Sequence, residues 1–135
     1  MNQLILICGL SNSGKTTFSE KKYDAVVHCD EILFSKKSYK KSILEKVKNT
    51  SNICMEGLFI SCEIRREIVN AYNGDKTICI WLDTDLEECI KRENRNRSII
   101  LIKNCYSIFE PPTYDEGWDE IYIIKNNGEP KLLHK

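Results

Sequence analysis

LILICGLSNSGKTTF, residues 4–18, joins an apolar run to a glycine-rich loop and then to a segment suited to a helix. Residues 9–16 match the pattern G-x-x-x-x-G-K-[S/T] of a phosphate-binding loop, which stands between a buried strand and a helix. Its glycines let successive backbone N–H groups converge on phosphate oxygens, and the helix that opens at Gly14 adds the positive end of its dipole. The stretch therefore predicts a site for a nucleoside triphosphate rather than an ordinary Gly/Ser turn.

Side chains of this loop have the chemistry that a triphosphate and its metal ion require. Lys15 is placed to reach the β- and γ-phosphates of ATP, and the Thr16 hydroxyl is placed to ligate Mg²⁺. We also count Lys15 among the expected catalytic residues. The residues expected to bind the nucleotide are Gly9, Ser11, Asn12, Ser13, Gly14, Lys15, Thr16 and Thr17. Residues 126–128, Asn-Asn-Gly, follow the last apolar run and could supply a loop beside the base.

The composition limits the class of protein. The 135 residues are enough for one domain with a buried core. Lys plus Arg equal Asp plus Glu at 20 each, so any binding to nucleic acid needs a local basic face. Seven cysteines without a C-x-x-C pair suggest neither a zinc site nor a disulfide framework and indicate a reducing cytosol. The first apolar run is too short for a signal peptide or membrane span, so we expect a cytoplasmic protein without membrane contact.

Short apolar runs alternate with helical patterns along the chain. We predict strands at 4–8, 25–29, 52–55, 77–82 and 120–124 and helices at 15–22, 31–48, 62–72, 85–95 and 99–108. Several strands are apolar throughout, as expected of parallel strands that are covered on both faces. The alternation predicts an α/β fold with three α/β/α layers and a five-stranded parallel sheet, in one domain at residues 1–135.

Asp30 follows the second predicted strand, at the edge of the sheet where ligands bind. A carboxylate there could accept the proton of an attacking hydroxyl near the γ-phosphate. The side chain could equally cap the helix that is predicted to begin at Glu31. Both interpretations stay open on the residues alone.

Glu56 and Gly57 follow the third predicted strand. An acidic residue that ends the strand beside the phosphate-loop strand is placed to hold Mg²⁺, often through water, and Gly57 leaves room for a phosphate or a substrate. The alternative is a solvated glutamate at a strand end. We expect Thr16 and Glu56 to form the metal site.

Arginines are concentrated at residues 91–97, KRENRNR, where the fourth helix is predicted to end. Arginines on a closing segment neutralise the charge that spreads over a transferred phosphoryl group and exclude water. Cations at the end of a helix are also common because they complement its dipole. Together with the phosphate-binding loop, the pattern favours a catalytic role for Arg92, Arg95 or Arg97.

The stretch after Asp30 is locally basic, with Phe34 and Tyr39 among its lysines. These lysines are Lys36, Lys37, Lys40, Lys41, Lys46 and Lys48. A helix there would flank the acceptor side of the crevice as a track for a phosphodiester backbone, although a solvated lysine-rich face fits equally well. Arg65 and Arg66 open the next helical stretch, and one of them is a weaker candidate for a phosphate contact.

Three of these segments together resemble the polynucleotide 5′-hydroxyl kinase family of phage end-healing enzymes and of animal polynucleotide kinase/phosphatase. They are GLSNSGKTTF at 9–18, HCDEILF at 28–34 and CIKRENRNR at 89–97. A fourth segment, FEPPTYDEGWDEI at 109–121, is similar to a stretch near the end of the eukaryotic members. The resemblance implies a P-loop kinase fold with a short arginine-bearing lid, and Asp30 as the catalytic base.

The resemblance also implies ATP and Mg²⁺ as cofactors and the 5′-hydroxyl of a DNA or RNA end as the acceptor. Two departures bear on this. Leu33 stands where phage members carry an arginine near the acceptor phosphate, and Glu56 stands where an aspartate is usual. A kinase of small-molecule hydroxyls and a non-catalytic nucleotide-binding regulatory protein are the alternatives.

Overall fold

A mostly parallel sheet lies at the centre of the protein, with helices on both of its faces. The computed structural model describes residues 1–29, 34–93 and 99–135, and within these ranges six strands form one sheet. The strands are β1 (Gln3–Cys8), β2 (Val27–His28), β3 (Ile53–Gly57), β4 (Lys76–Asp83), β5 (Glu120–Lys125) and β6 (Lys131–Leu132). The helices are α1 (Lys15–Lys22), α2 (Lys37–Asn49), α3 (Cys62–Ala71), α4 (Leu86–Lys91) and α5 (Ile99–Ile108), and a 3-10 turn covers Tyr114–Glu116.

The order of the strands in the sheet is β2-β3-β1-β4-β5-β6, and each neighbouring pair is parallel except β5 with β6. β1 lies between β3 and β4, with Ile7 opposite both Glu56 and Ile80. Ligands of parallel sheets bind outside the carboxyl ends of the strands. The phosphate-binding loop, which leaves β1 after Cys8, therefore lies at the edge of the sheet where a ligand is expected.

β1 is apolar and buried from Leu4 to Cys8, and helices cover both of its faces. Leu6 belongs to a core cluster that includes Val47 of α2 and Ile68 of α3. Ile7 belongs to the cluster on the opposite face, against which Phe18 of α1 packs. Continuous apolar runs are the pattern of parallel strands between two layers of helices. The predicted three-layer α/β/α fold is confirmed, and the five predicted strands form a parallel sheet.

The sheet has one strand more than the sequence predicts. Lys131–Leu132 pairs antiparallel with β5. Asn126 and Asn127 have φ angles of 46° and 62°, as both central residues of a type I′ hairpin turn require, and the Gly128 N–H donates to the Lys125 carbonyl at 2.8 Å. A two-residue strand is too short to show a strand pattern, so only the turn was visible in the sequence.

Two helices have bounds that differ from the prediction. α2 begins after Lys36, whose backbone is extended. α4 ends before Arg92, well short of the predicted end at residue 95. Residues 30–33 and 94–98 lie outside the described residues, so the comparison does not include them.

α4 and α5 pack on each other and on the phosphate-binding loop. Leu10 of the loop, Cys89 of α4 and Ile102 of α5 form an apolar cluster separate from the two clusters on the sheet. Ile100 and Ile108 of α5 remain exposed, at 68% and 59%. No helix within the described residues is long and apolar enough to cross a membrane.

A buried ion pair joins α3 to the segment that precedes β5. Arg65 and Glu116 are 0% and 1% exposed, and their Nε and Oε1 atoms lie 2.7 Å apart. The Trp118 indole and the Thr113 N–H donate to the same carboxylate at 2.9 and 3.0 Å, and Arg65 donates to the Phe59 carbonyl. Both charges are thus hydrogen-bonded, as burial requires. Arg65 therefore serves packing, so the phosphate contact expected of one of the two arginines stays a prediction for the exposed Arg66.

The groups around Glu116 also determine the pKa of its carboxyl. Burial alone raises the pKa of this carboxyl, but hydrogen bonds from Arg65, Trp118 and Cys62 outweigh it, so the pKa lies below its usual value. A carboxyl with a lowered folded-state pKa stabilises the fold above the pKa of the unfolded chain. That contribution is lost as the pH falls through the folded-state pKa. The pair therefore contributes its full stability at neutral pH.

We expect Arg65→Met to lower the free energy of unfolding by about 3–5 kcal/mol at pH 7, because it leaves the Glu116 carboxylate buried without its cation. Urea unfolding monitored by circular dichroism measures the change. Lys40→Met is the control, since the Lys40–Glu67 pair is partly exposed to water, which screens its charges, and its loss should cost only about 0–1 kcal/mol. An Arg65→Met variant as stable as the parent protein would contradict the role given to the pair.

Candidate functional site

A cleft of about 1250 Å³ lies at the carboxyl ends of the strands. The phosphate-binding loop and the first turn of α1 form one side of it. Residues from distant parts of the chain complete its lining, among them His28, Glu56, Gly57, Arg92 and Asn127. The sheet topology thus brings together segments that are far apart in the sequence.

The backbone of the loop adopts a conformation that its residue types permit. A Cβ atom on Gly9 would lie 2.8 Å from both the Leu82 carbonyl and the Ser13 hydroxyl, so a side chain does not fit there. Gly14 precedes α1 with φ at 103°, and Asn12 has φ at 67°. Glycine and asparagine are the residues that adopt positive φ at least cost. The loop can therefore curl over the end of β1 without steric conflict.

The predicted nucleotide-binding residues divide into two groups. Gly9 and Ser13 do not line the cleft. Ser13 is fully buried, and Gly9 allows the close approach of the Leu82 carbonyl and the Ser13 hydroxyl. The cleft is lined by Ser11, Asn12, Gly14, Lys15, Thr16 and Thr17. The sequence pattern alone does not separate residues that shape such a loop from those that face its ligand.

Lys15 and Thr16 belong to the first turn of α1, and their polar ends reach different parts of the cleft. The Lys15 Nζ donates to the Leu10 carbonyl at 2.7 Å, so the ammonium group lies within the loop. The Thr16 hydroxyl donates to Glu56 Oε2 at 2.9 Å. The start of α1 therefore directs a cation into the loop and a hydroxyl towards β3.

Glu56 is the centre of a chain of polar contacts. Its buried carboxylate accepts from the Thr16 hydroxyl and lies 3.1 Å from His28 Nδ1, while His28 Nε2 lies 3.4 Å from Glu20. A carboxylate and a hydroxyl this close form a set of hard oxygen ligands suited to Mg²⁺. His28 is a site residue that the sequence did not predict. Its position near the end of the predicted strand at 25–29 was the one indication, since ligands bind at that edge of a sheet.

Arg92 is the predicted arginine that the described structure brings to the loop. Its Nη1 donates to the Asn12 carbonyl at 3.1 Å, and its Nε donates to Glu88 one helical turn earlier, also at 3.1 Å. The guanidinium lies 3.8 Å from where a Cβ of Gly14 would be. A cation thus stands beside the end of the loop that opens α1.

Three other predicted catalytic residues lie outside the described residues. Asp30 falls within residues 30–33, and Arg95 and Arg97 fall within residues 94–98. Their expected roles stay predictions. Cys29, which precedes Asp30, lines the cleft, and its N–H donates to the Glu56 carbonyl at 2.9 Å.

Two cysteines near the site carry protonated thiols. Burial, together with the smaller effect of the negative charge of Glu56, raises the pKa of Cys54 to about 11. Burial also raises the pKa of Cys89. Since the thiolate is the nucleophilic form, neither residue is suited to covalent catalysis at neutral pH.

Comparisons with known proteins identify the fold. No protein-family model and no curated protein matches the chain. Similar solved structures include a sugar kinase from Janibacter, with a TM-score of 0.72 and 15% identity over 96% of this chain and 88% of that chain. A gluconokinase from Sinorhizobium meliloti has a TM-score of 0.67 and 12% identity over 95% and 85%.

A structure of the PezAT toxin-antitoxin system of Streptococcus pneumoniae is also similar, with a TM-score of 0.62 and 14% identity over 96% of this chain and 69% of that chain. At such identities the likeness shows the fold alone. This protein has the P-loop kinase fold.

Proposed function

We propose that this protein is a kinase that transfers the γ-phosphoryl group of Mg²⁺-ATP to a hydroxyl group. The observation that carries the proposal is the 2.9 Å hydrogen bond between the Thr16 hydroxyl and the Glu56 carboxylate, at the start of the helix whose first residue, Lys15, directs its ammonium into the loop. An ordinary connecting loop does not require a hydroxyl and a buried carboxylate in contact beside it. A site for a metal-bound triphosphate needs both ligands and the cation.

The residues present fit ATP and Mg²⁺. Gly9 and Gly14 keep side chains out of the loop, so that backbone N–H groups can approach phosphate oxygens. Thr16 and Glu56 would hold the metal, Glu56 directly or through water. When bound, Mg²⁺ neutralises charge on the β- and γ-phosphate oxygens.

The side chains of the site then have distinct tasks. Lys15 holds the β- and γ-phosphates, and Arg92 stabilises the charge that develops on the transferred group. Asp30 accepts the proton of the acceptor hydroxyl. Arg95 and Arg97 are further candidates for the task given to Arg92. Because phosphoryl transfer passes through a loose transition state, positioning and charge supply most of the rate.

The base of the nucleotide has a candidate place beside the β5–β6 hairpin. Phe18, Ile124 and Asn127 line the cleft there, and the Asn127 side chain lies 3.7 Å from where a Cβ of Gly14 would be. An apolar surface with an amide at its rim suits a flat ring with polar edges. The hairpin turn thus supports the expected role of residues 126–128.

The acceptor hydroxyl belongs either to a polynucleotide end or to a small molecule. The resemblance of residues 9–18, 28–34 and 89–97 supports a polynucleotide 5′-hydroxyl. One observation favours a small-molecule hydroxyl instead: among the described residues that line the cleft there is no lysine of α2. A separate groove is lined by Leu44 and Ala71 together with four lysines of α2, Lys37, Lys40, Lys41 and Lys48. Lys40 also pairs with Glu67.

We expect Glu56→Gln to raise the Mg²⁺ concentration needed for half-maximal transfer by about 10–100-fold, because an amide is a weaker ligand and a weaker acceptor for Thr16. A magnesium titration of the initial rate measures this. Glu20→Gln is the matched control, since Glu20 is exposed and pairs with Nε2 of His28, whereas Glu56 faces Nδ1. An unchanged magnesium requirement in Glu56→Gln would exclude Glu56 from the metal site.

We expect Asp30→Asn to lower the transfer rate by about 10²–10⁴-fold while ATP binding stays within about twofold, because the variant loses only the proton acceptor. Single-turnover transfer and equilibrium binding of a fluorescent ATP analogue separate the two effects. Asp24→Asn, at an exposed position, is the control. A fully active Asp30→Asn variant would refute the assignment of the base.

We expect labelled ATP to phosphorylate either 5′-hydroxyl oligonucleotides or small polyols and nucleosides, and salt dependence distinguishes the two classes. An oligonucleotide held by about three phosphate contacts should show a KM about tenfold or more higher at 200 than at 50 mM salt. A neutral acceptor should show little change. ATP binding without transfer to any acceptor would support the non-catalytic alternative.

A further inference from the structure

Two residues of the phosphate-binding loop make their side-chain contacts with helices α4 and α5. Leu10 is almost fully buried in the apolar cluster with Cys89 and Ile102. Asn12 Nδ2 donates to the Cys89 carbonyl at 3.2 Å and to Glu93 Oε2 at 3.3 Å. From the sequence, Asn12 is expected only to bind the nucleotide, and Leu10 has no expected role.

The Asn12 amide hydrogen-bonds a carbonyl in the last turn of α4. Carbonyls in the last turn of a helix have no partner within the helix, and the Cys89 carbonyl lies in that turn. The Asn12 side chain donates to it from the loop. Asparagine also tolerates the left-handed backbone found at this position, with φ at 67°. One residue type therefore satisfies both the turn of the loop and the end of the helix.

Arg92 completes the contact from the helix side. It caps the end of α4, and its guanidinium donates to the carbonyl of the same Asn12 at 3.1 Å. Asn12 thus donates through its side chain and accepts through its backbone across a single junction. The direction of the Arg92 side chain depends on where α4 lies on the loop.

We propose that Leu10 and Asn12 are positioning residues that hold α4 and α5 on the phosphate-binding loop and thereby aim Arg92 at the transferred phosphoryl group. The aim of Arg92 rests on the proposed function, whereas the loop–helix contact does not. Leu10 stabilises the contact by apolar burial, and the hydrogen bond of Asn12 to the Cys89 carbonyl fixes the orientation of α4 on the loop. Arg92 carries the positive charge that is positioned. Loop and helices then behave as one unit.

Amide hydrogen exchange tests the loop–helix contact without any assay of activity. Leu10→Ala, Asn12→Gly and Ile102→Ala should each speed exchange in α4 and α5 by about tenfold, with β1 and β3 unchanged. Asn12→Gly keeps the left-handed backbone, and Ile102→Ala weakens the contact without altering the loop. Ile100→Ala, exposed on the same helix, is the matched control. Unchanged exchange in α4 and α5, or equal acceleration in β1 and β3, would overturn the contact.

Kinetics test the positioning of Arg92. Leu10→Ala and Ile102→Ala should lower kcat about tenfold while the KM for ATP changes less than about threefold, and Leu10→Met should restore most of the rate. In an Arg92→Ala background the same substitutions should cause no further loss, because the group they position is gone. Losses that multiply in that background would overturn the positioning role. Absence of transfer by the parent protein would contradict the proposed function, and the exchange comparison would then decide the loop–helix contact alone.

Discussion

Strand β1 carries apolar side chains on both faces, and helices cover both faces. It lies between β3 and β4, so a shift of one residue would exchange the two sets of side chains and break both ladders. The loop that leaves the carboxyl end of β1 therefore starts from a fixed point. The pairing of β1 with β3 places Glu56 opposite Ile7, near the carboxyl end of β1. The Thr16 hydroxyl at the start of α1 therefore lies within hydrogen-bond distance of the Glu56 carboxylate.

The side of the cleft formed by β3 depends on a second buried feature. Gly57 and Leu58 line the cleft, and the next residue, Phe59, is fully buried with φ at 41°. A positive φ is costly for a bulky residue and persists only where the surroundings hold it. Arg65 donates to the Phe59 carbonyl while it pairs with Glu116. The segment before β5 thus helps to hold the part of the cleft that follows β3.

Sequence reasoning located the phosphate-binding loop, the alternation of strands and helices, and the carboxylate at the end of β3. It missed the Arg65–Glu116 pair, even though Thr113 and Glu116 stand at the spacing of a capping box. The capping box is a local sequence pattern, but Arg65, the partner of the Glu116 carboxylate, lies 51 residues away in the sequence. No local pattern indicates which cation a buried carboxylate will meet.

The sequence by itself determined the conformation of the loop and the class of fold, because glycine spacing and apolar runs act through neighbouring residues. Only the tertiary structure decided that Glu56 meets Thr16 and that Asn12 meets the end of α4. These contacts join residues 40 and 77 positions apart. They depend on strand register and helix packing, which arise from burial over the whole sheet rather than from any one segment.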